Sequence, residues 1–291
     1  MGSLLRGDES MQLGMKKTQI LVSVIKTIIF TVIGLMFLAP LLWMISSSLK
    51  TAPEVFATDF SWIPEKLQWK NYVKIWTSDE VSMVRSYMNT AWITAISIVV
   101  QLSFASMAAY GFAKINFRGK NVVFFLFLST MMIPGEVTII PRYMLFRTIG
   151  LYNNHWAIIL PHWFSATAIF MLRQFYMGLP NDLMEAAKID GASHPAIFIR
   201  ILLPLTKSAL VSLMVLTFIS CWNEYLSPLI FLTKKNLYTI SQVVRWYLQD
   251  DAVRYDLTMA AATSTVIPVI ILTLCCQKYF VEGIATSGVK G

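Results

Sequence analysis

Between Leu179 and Pro195 the chain reads Leu-Pro-Asn-Asp-Leu-Met-Glu-Ala-Ala-Lys-Ile-Asp-Gly-Ala-Ser-His-Pro. These residue types suit docking rather than bond-making. Asn181 or Asp182 can cap a helix, and Asp182 with Glu185 three residues later has the spacing of a capping box. Ala186 and Ala187 favour helix and leave no bulk on its surface. Gly191 can take the left-handed conformation that ends a helix. Ser193 can then cap a second helix with Pro195 in its first turn. The expected unit is helix, sharp turn, helix. Its small face admits a partner's groove, and Glu185 beside it offers a fixed charge for a basic side chain of that partner.

A second set of polar residues interrupts apolar sequence. Trp222-Asn223-Glu224 is followed by Pro228 inside one hydrophobic run, and Gln101 and His162 lie inside two others. An ionisable group at membrane depth faces a cavity or a partner rather than lipid. Asn223 and Glu224 therefore line a pathway, or they satisfy backbone groups freed by Pro228 and bond between helices. Gln101 and His162 carry the same two readings, and Glu136 either caps a helix end or meets an outside partner. Cys221, Cys275 and Cys276 all sit in apolar runs, without metal-ligand or disulfide-framework spacing. No nucleophile–base pair stands out, so the chain is not read as an enzyme.

The elements that must carry these residues follow from composition. Of 291 residues 56% are hydrophobic and 14% charged, with mean hydropathy +0.60, against roughly 25% charged in a soluble domain. A helix needs about 20 apolar residues to cross a bilayer, and lipid leaves helices as the fitting element. The sequence is read as all-α with six spans: about Ile20–Ser47, Asn89–Ala113, a third from Asn121 broken at Ile133-Pro134-Gly135, Trp156–Phe175, Ala209–Leu232 and Leu257–Tyr279. Residues 1–19 form an inner N-terminal segment, 20–280 the membrane domain with an inner loop at about 177–207, and 281–291 an inner tail. Pro141–Gly150 reads as a short interfacial helix. The loop Ser48–Arg85, with Trp62, Trp69, Tyr72 and Trp76, reads as an aromatic belt with a short amphipathic cap, or as a docking surface for an external partner. Lys114, Arg118 and Lys120, with no acid among them, place their short loop in the cytoplasm together with both termini. The formal charge of +8 is read as membrane topology. Too little soluble chain remains for a nucleic-acid surface.

Glu185-Ala186-Ala187, three residues, Gly191, nine residues and Ile201-Leu202-Leu203-Pro204 match the pattern EAA-x3-G-x9-I-x-LP. In this the chain resembles the permease subunits of binding-protein-dependent ATP-binding-cassette importers. Trp222-Asn223-Glu224-Tyr225 and the tail from Gln277 to Gly283, then Gly288 to Gly291, resemble the sugar branch, in particular the smaller maltose-type permease. The resemblance implies the type I importer permease fold. It assigns Glu185, Ala186, Ala187, Asp190, Gly191 and Ala192 to a coupling helix seated on an ATPase subunit, and it sends the tail between two such subunits. Trp222, Asn223, Glu224 and Gln101 are then candidates for the pore. No G-x4-G-K-[ST] loop is present, so ATP and Mg would be bound by separate ATPase subunits. A second permease, an external solute-binding protein, a carbohydrate cargo and the bacterial inner membrane complete the implied system. The alternatives are a non-sugar cargo, or an ATP-independent secondary transporter that uses Glu224 as an ion site.

Overall fold

The computed structural model describes the backbone of residues 2–59, 61–249 and 254–288, and the side chains of residues 19–59, 61–249 and 254–277. It is all-α, with no strand among the described residues. Phe280, Val281 and Ile284, expected to form an amphipathic turn of the tail, lie outside the described side chains.

Helix α1 (Gly2–Ser48) contains the apolar stretch Gln19–Ser48, long enough to cross a bilayer, as are Met83–Lys114 and Tyr255–Gln277. Two further apolar segments are bent pairs: Lys120–Met132 with Gly135–Thr148 at 89°, and His194–Leu205 with Lys207–Trp222 at 77°. The first bend falls at Pro134-Gly135, the expected break, because proline withholds a donor there. After α2 (Lys70–Trp76), α3 (Met83–Lys114) and α4 (Lys120–Ser129) comes the short α5 (Ile139–Thr148), close to the expected Pro141–Gly150 helix.

The fourth expected span corrects the sequence reading of an unbroken helix. Trp156–Ile159 passes into a 3-10 turn at Leu160–Trp163, and the backbone extends at Phe164. Ser165 then caps α6 (Ala166–Met177) by accepting from the Ala168 N–H at 3.2 Å. Pro161 cannot donate to a continuous helix, and the chain uses that gap to turn. Length and composition thus single out three helices and two bent pairs among the described residues, and this fourth segment falls outside that criterion.

After α7 (Asp182–Ile189), α8 (Lys207–Trp222) stops where expected, and α9 (Leu226–Phe231) restarts three residues on. Helix α10 (Ile240–Leu248) precedes the last long helix, α11 (Tyr255–Gly288). Helix α3 is the spine, with α6 and α8 packed along it, and α11 bridges α8 and α1. Apolar side chains of α1 are left uncovered, Phe30 at 70% and Phe37 at 80% exposure, a surface for lipid or another apolar chain. Cys221 and Cys276 are buried, while Cys275 is exposed.

The loop after α1 closes over a buried polar knot. Lys50 is fully buried, donates from Nζ to the Ser61 carbonyl at 2.5 Å and lies 4.4 Å from the centre of the Trp43 ring. Asn71 on α2 donates to the carbonyls of Ser48 and Lys50, each at 2.9 Å. Helix α2 is thus pinned by a side chain that satisfies two carbonyls of this loop.

Candidate functional site

The loop between α6 and α8 folds as helix, turn, helix. On α7, Met184 and Ala187, three residues apart and so on one face, are buried and join a core with Tyr110, Phe112 and Ile197. Glu185, Ala186 and Asp190 are exposed. The two alanines expected to share one small outward face are divided: Ala186 looks out and Ala187 looks in. Ile189, at 87% exposure, also looks out, as does Leu183.

Gly191 has φ +81°. The Gly191 N–H donates to the Lys188 carbonyl at 3.0 Å and the Ala192 N–H to the Ala187 carbonyl at 2.9 Å. This paired closure of a helix end requires the left-handed residue that glycine adopts without penalty. A Cβ at Gly191 would meet nothing within 4 Å, so the demand for glycine is conformational rather than steric.

The expected side-chain caps do not form. Asn181 occupies the cap position of α7 without a side-chain bond into the helix, Asp182 is the first helical residue, and no capping box joins Asp182 and Glu185. Asn181 serves another partner: its Oδ1 accepts from Lys114 Nζ at 2.7 Å. Ser193 stands at the cap position of His194–Ile197 with extended backbone but makes no side-chain cap bond.

Helix α3 holds this loop at both ends. Lys114 Nζ also donates to the Leu179 carbonyl at 2.7 Å. One turn earlier, the Tyr110 hydroxyl pairs with His194 Nδ1 at 2.8 Å, and its ring packs 5.4 Å from that of Phe198. Arg173 of α6 donates to the Phe112 carbonyl at 3.3 Å and lies 4.1 Å from the centre of the Phe124 ring. These contacts tie both ends of the loop to α3 directly.

Two adjoining cavities open on the side of the bundle. One, about 300 Å³, is lined by Gln101, His162, Thr217 and Ser220 among others. Gln101 donates to Thr217 Oγ1 at 3.1 Å, and His162 Nδ1 stands 3.7 Å from Cys221 Sγ. The second, about 420 Å³, gathers Glu136, Arg142, Ser220, Asn223, Glu224 and Ser227 where the third segment bends and the fifth breaks. Ser220 lines both. Glu224 Oε1 accepts the Ser227 N–H at 2.9 Å at the start of α9, and the residue also lines this cavity. Asn223 lines the cavity too, and its side-chain bond is local, to the Ile219 carbonyl at the end of α8 at 2.9 Å.

Trp222 does not line either cavity. It is buried, donates from Nε1 to the Thr265 carbonyl at 3.0 Å and stacks on Phe218 at 5.2 Å. Sequence reasoning missed Arg142, Ser227 and the ties from α3. The signal for Arg142 was present, an arginine in an apolar stretch just past Pro134-Gly135.

Comparison with known proteins fits this architecture. The model of the family described as binding-protein-dependent transport system inner membrane component matches residues 101–286. The arabinooligosaccharides transport system permease protein AraQ of Halalkalibacterium halodurans is 33% identical over 279 residues, covering 95% of this chain and 99% of that protein. The sn-glycerol-3-phosphate transport system permease protein UgpE of Pectobacterium atrosepticum is 33% identical over 240 residues, covering 80% and 85%. A crystal structure of a bacterial ABC transporter involved in the import of the acidic polysaccharide alginate contains a chain of the same fold. Its TM-score is 0.78 at 24% identity, covering 89% of this chain and 96% of that one.

Proposed function

This chain belongs to the family of binding-protein-dependent transport system inner membrane components, and we propose that it forms half of the translocation pathway of an ATP-binding-cassette importer for a sugar or oligosaccharide. The observation that carries the proposal is the α7 turn, with Glu185 and Ala186 exposed, Met184 and Ala187 anchoring the helix from behind, and Gly191 closing it. That surface is fixed to the bundle yet uncovered, as a coupling contact requires. The sugar class rests on AraQ-like relatives at 33% and 32% identity.

In this reading two separate ATPase subunits bind ATP and Mg and seat α7, and a second permease completes the pore. A binding protein delivers cargo from outside. The chain has no catalytic role of its own. It sits in the bacterial inner membrane with both termini and the 177–207 loop in the cytoplasm. Closure of the ATPase pair draws the α7 loops together, and α3 carries that movement into the membrane by rigid-body rocking.

The test is uptake into vesicles holding the complete importer, with labelled oligosaccharides and non-sugar solutes supplied through the binding protein. Oligosaccharide uptake should require ATP and vanish with Glu185→Lys while the chain still inserts. Uptake that persists without ATP would instead establish a secondary transporter.

A further inference from the structure

The sugar reading leaves open the charge of the cargo, and the relatives differ on it: their names include an arabinooligosaccharide system and a glycerol-3-phosphate system. Resting on that reading, we infer that Arg142, Ser227 and Glu224 form a charge-balanced, substrate-facing site for an uncharged, hydroxyl-rich sugar unit.

The site is built from two interruptions that face each other. Arg142 follows the bend at Pro134-Gly135, and Glu224 lies in the break between α8 and α9. Arg142 Nη2 donates to Ser227 Oγ at 3.1 Å, and the Ser227 N–H donates to Glu224 Oε1 at 2.9 Å. Ser227 therefore links cation to anion without direct contact between them. The guanidinium is also held 5.3 Å from the centre of the Phe231 ring. Its Nε is buried and lacks a hydrogen-bond partner among the described residues. That atom is out of a cargo's reach, so recognition falls to the groups on the cavity wall.

The chemistry on offer alternates. Arg142 gives donors only, Glu224 acceptors only, and a sugar hydroxyl both gives and takes. Tyr225, 41% exposed on the same wall, adds an aromatic surface for the apolar side of a sugar ring. The volume of about 420 Å³ falls within the roughly 300–1,000 Å³ of small-molecule sites. The electrostatics then discriminate. On this chain's half of the pathway, one arginine against the two glutamates Glu136 and Glu224 leaves the wall at a formal charge of −1. A carboxylate or phosphate on the cargo would meet an arginine already balanced and a second acid beyond it.

Equilibrium binding to the purified permease–ATPase complex, without the binding protein, isolates this site. The probes are radiolabelled arabinotriose, maltotriose and the trisaccharide of alginate. At least one neutral probe should bind about tenfold tighter than the acidic one. Arg142→Gln should weaken that neutral probe about tenfold, and Glu136→Gln with Glu224→Gln should narrow the gap between the classes. If Arg142→Gln does not assemble, Ser227→Ala, which removes only the hydroxyl, should still weaken the neutral probe. Tighter binding of the acidic probe, or unchanged neutral binding in an assembled Arg142→Gln or Ser227→Ala complex, would overturn the inference while leaving a sugar importer standing. A complex that moves a non-sugar solute and neither transports nor binds any oligosaccharide would overturn the sugar reading itself.

Discussion

Leucine placed at Ala186 and leucine placed at Ala187 should fail in different ways. Ala187 is 8% exposed and packed in the core with Met184, Tyr110 and Ile197. Extra carbons there have no room, and overpacking of this kind costs about 1–3 kcal/mol. That cost falls on the chain's own fold. Ala186 is exposed, and a surface change usually stays within about 0.5 kcal/mol of neutral for the isolated chain. If an ATPase groove closes on Ala186, the overpacking penalty moves to the association. A loss of about 1–3 kcal/mol corresponds to roughly 5- to 150-fold weaker binding.

Two measurements on the purified full-length variants separate these costs: thermal stability of the chain in detergent, and its affinity for the ATPase subunit. Ala187→Leu should lower the melting temperature. Ala186→Leu should leave melting unchanged and weaken association. The opposite pattern, with Ala186→Leu destabilising the chain and still binding normally, would refute the assignment of the two faces.

The ties from α3 make a second prediction. Tyr110→Phe removes the bond to His194, and Lys114→Met removes those to Leu179 and Asn181; together they should lower uptake per ATP hydrolysed several-fold while ATPase association persists. Unchanged coupling in the double variant would deny α3 its transmitting role. For orientation, single cysteines at Ser193 and Thr58, both exposed, are probed in intact cells with a membrane-impermeant thiol reagent. Label is expected at Thr58 and not at Ser193, and the reverse would invert the topology.

What could be foreseen tracks how local the cause is. The break at Pro134, the turn at Gly191 and the end of α8 near Asn223 each depend on a few adjacent residues, and each stands in the structure where the sequence placed it. Asn181 went astray because its partner, Lys114, lies 67 positions away, so a competent cap was recruited to a tertiary tie instead. Arg142 went unnoticed because a window scored for apolarity averages one charge away. Its partner Ser227 is 85 residues distant.

The face of α7 shows the limit most sharply. Hydrophobic pattern alone would turn Ile189 inward, since apolar side chains seek burial. The structure instead leaves Ile189 87% exposed and Leu183 45% exposed, and buries Ala187. A helix of eight residues that buries only Met184 and Ala187 and leaves Leu183 and Ile189 outward is not arranged for the chain's own core alone. Met184 and Ala187 suffice to seat it, and Leu183, Ala186 and Ile189 are left as apolar surface beside the carboxylate of Glu185. Exposed apolar side chains grouped together mark a surface that another molecule covers. The misfit between the helix and its own chain thus argues, independently of the EAA pattern, for a partner that covers it.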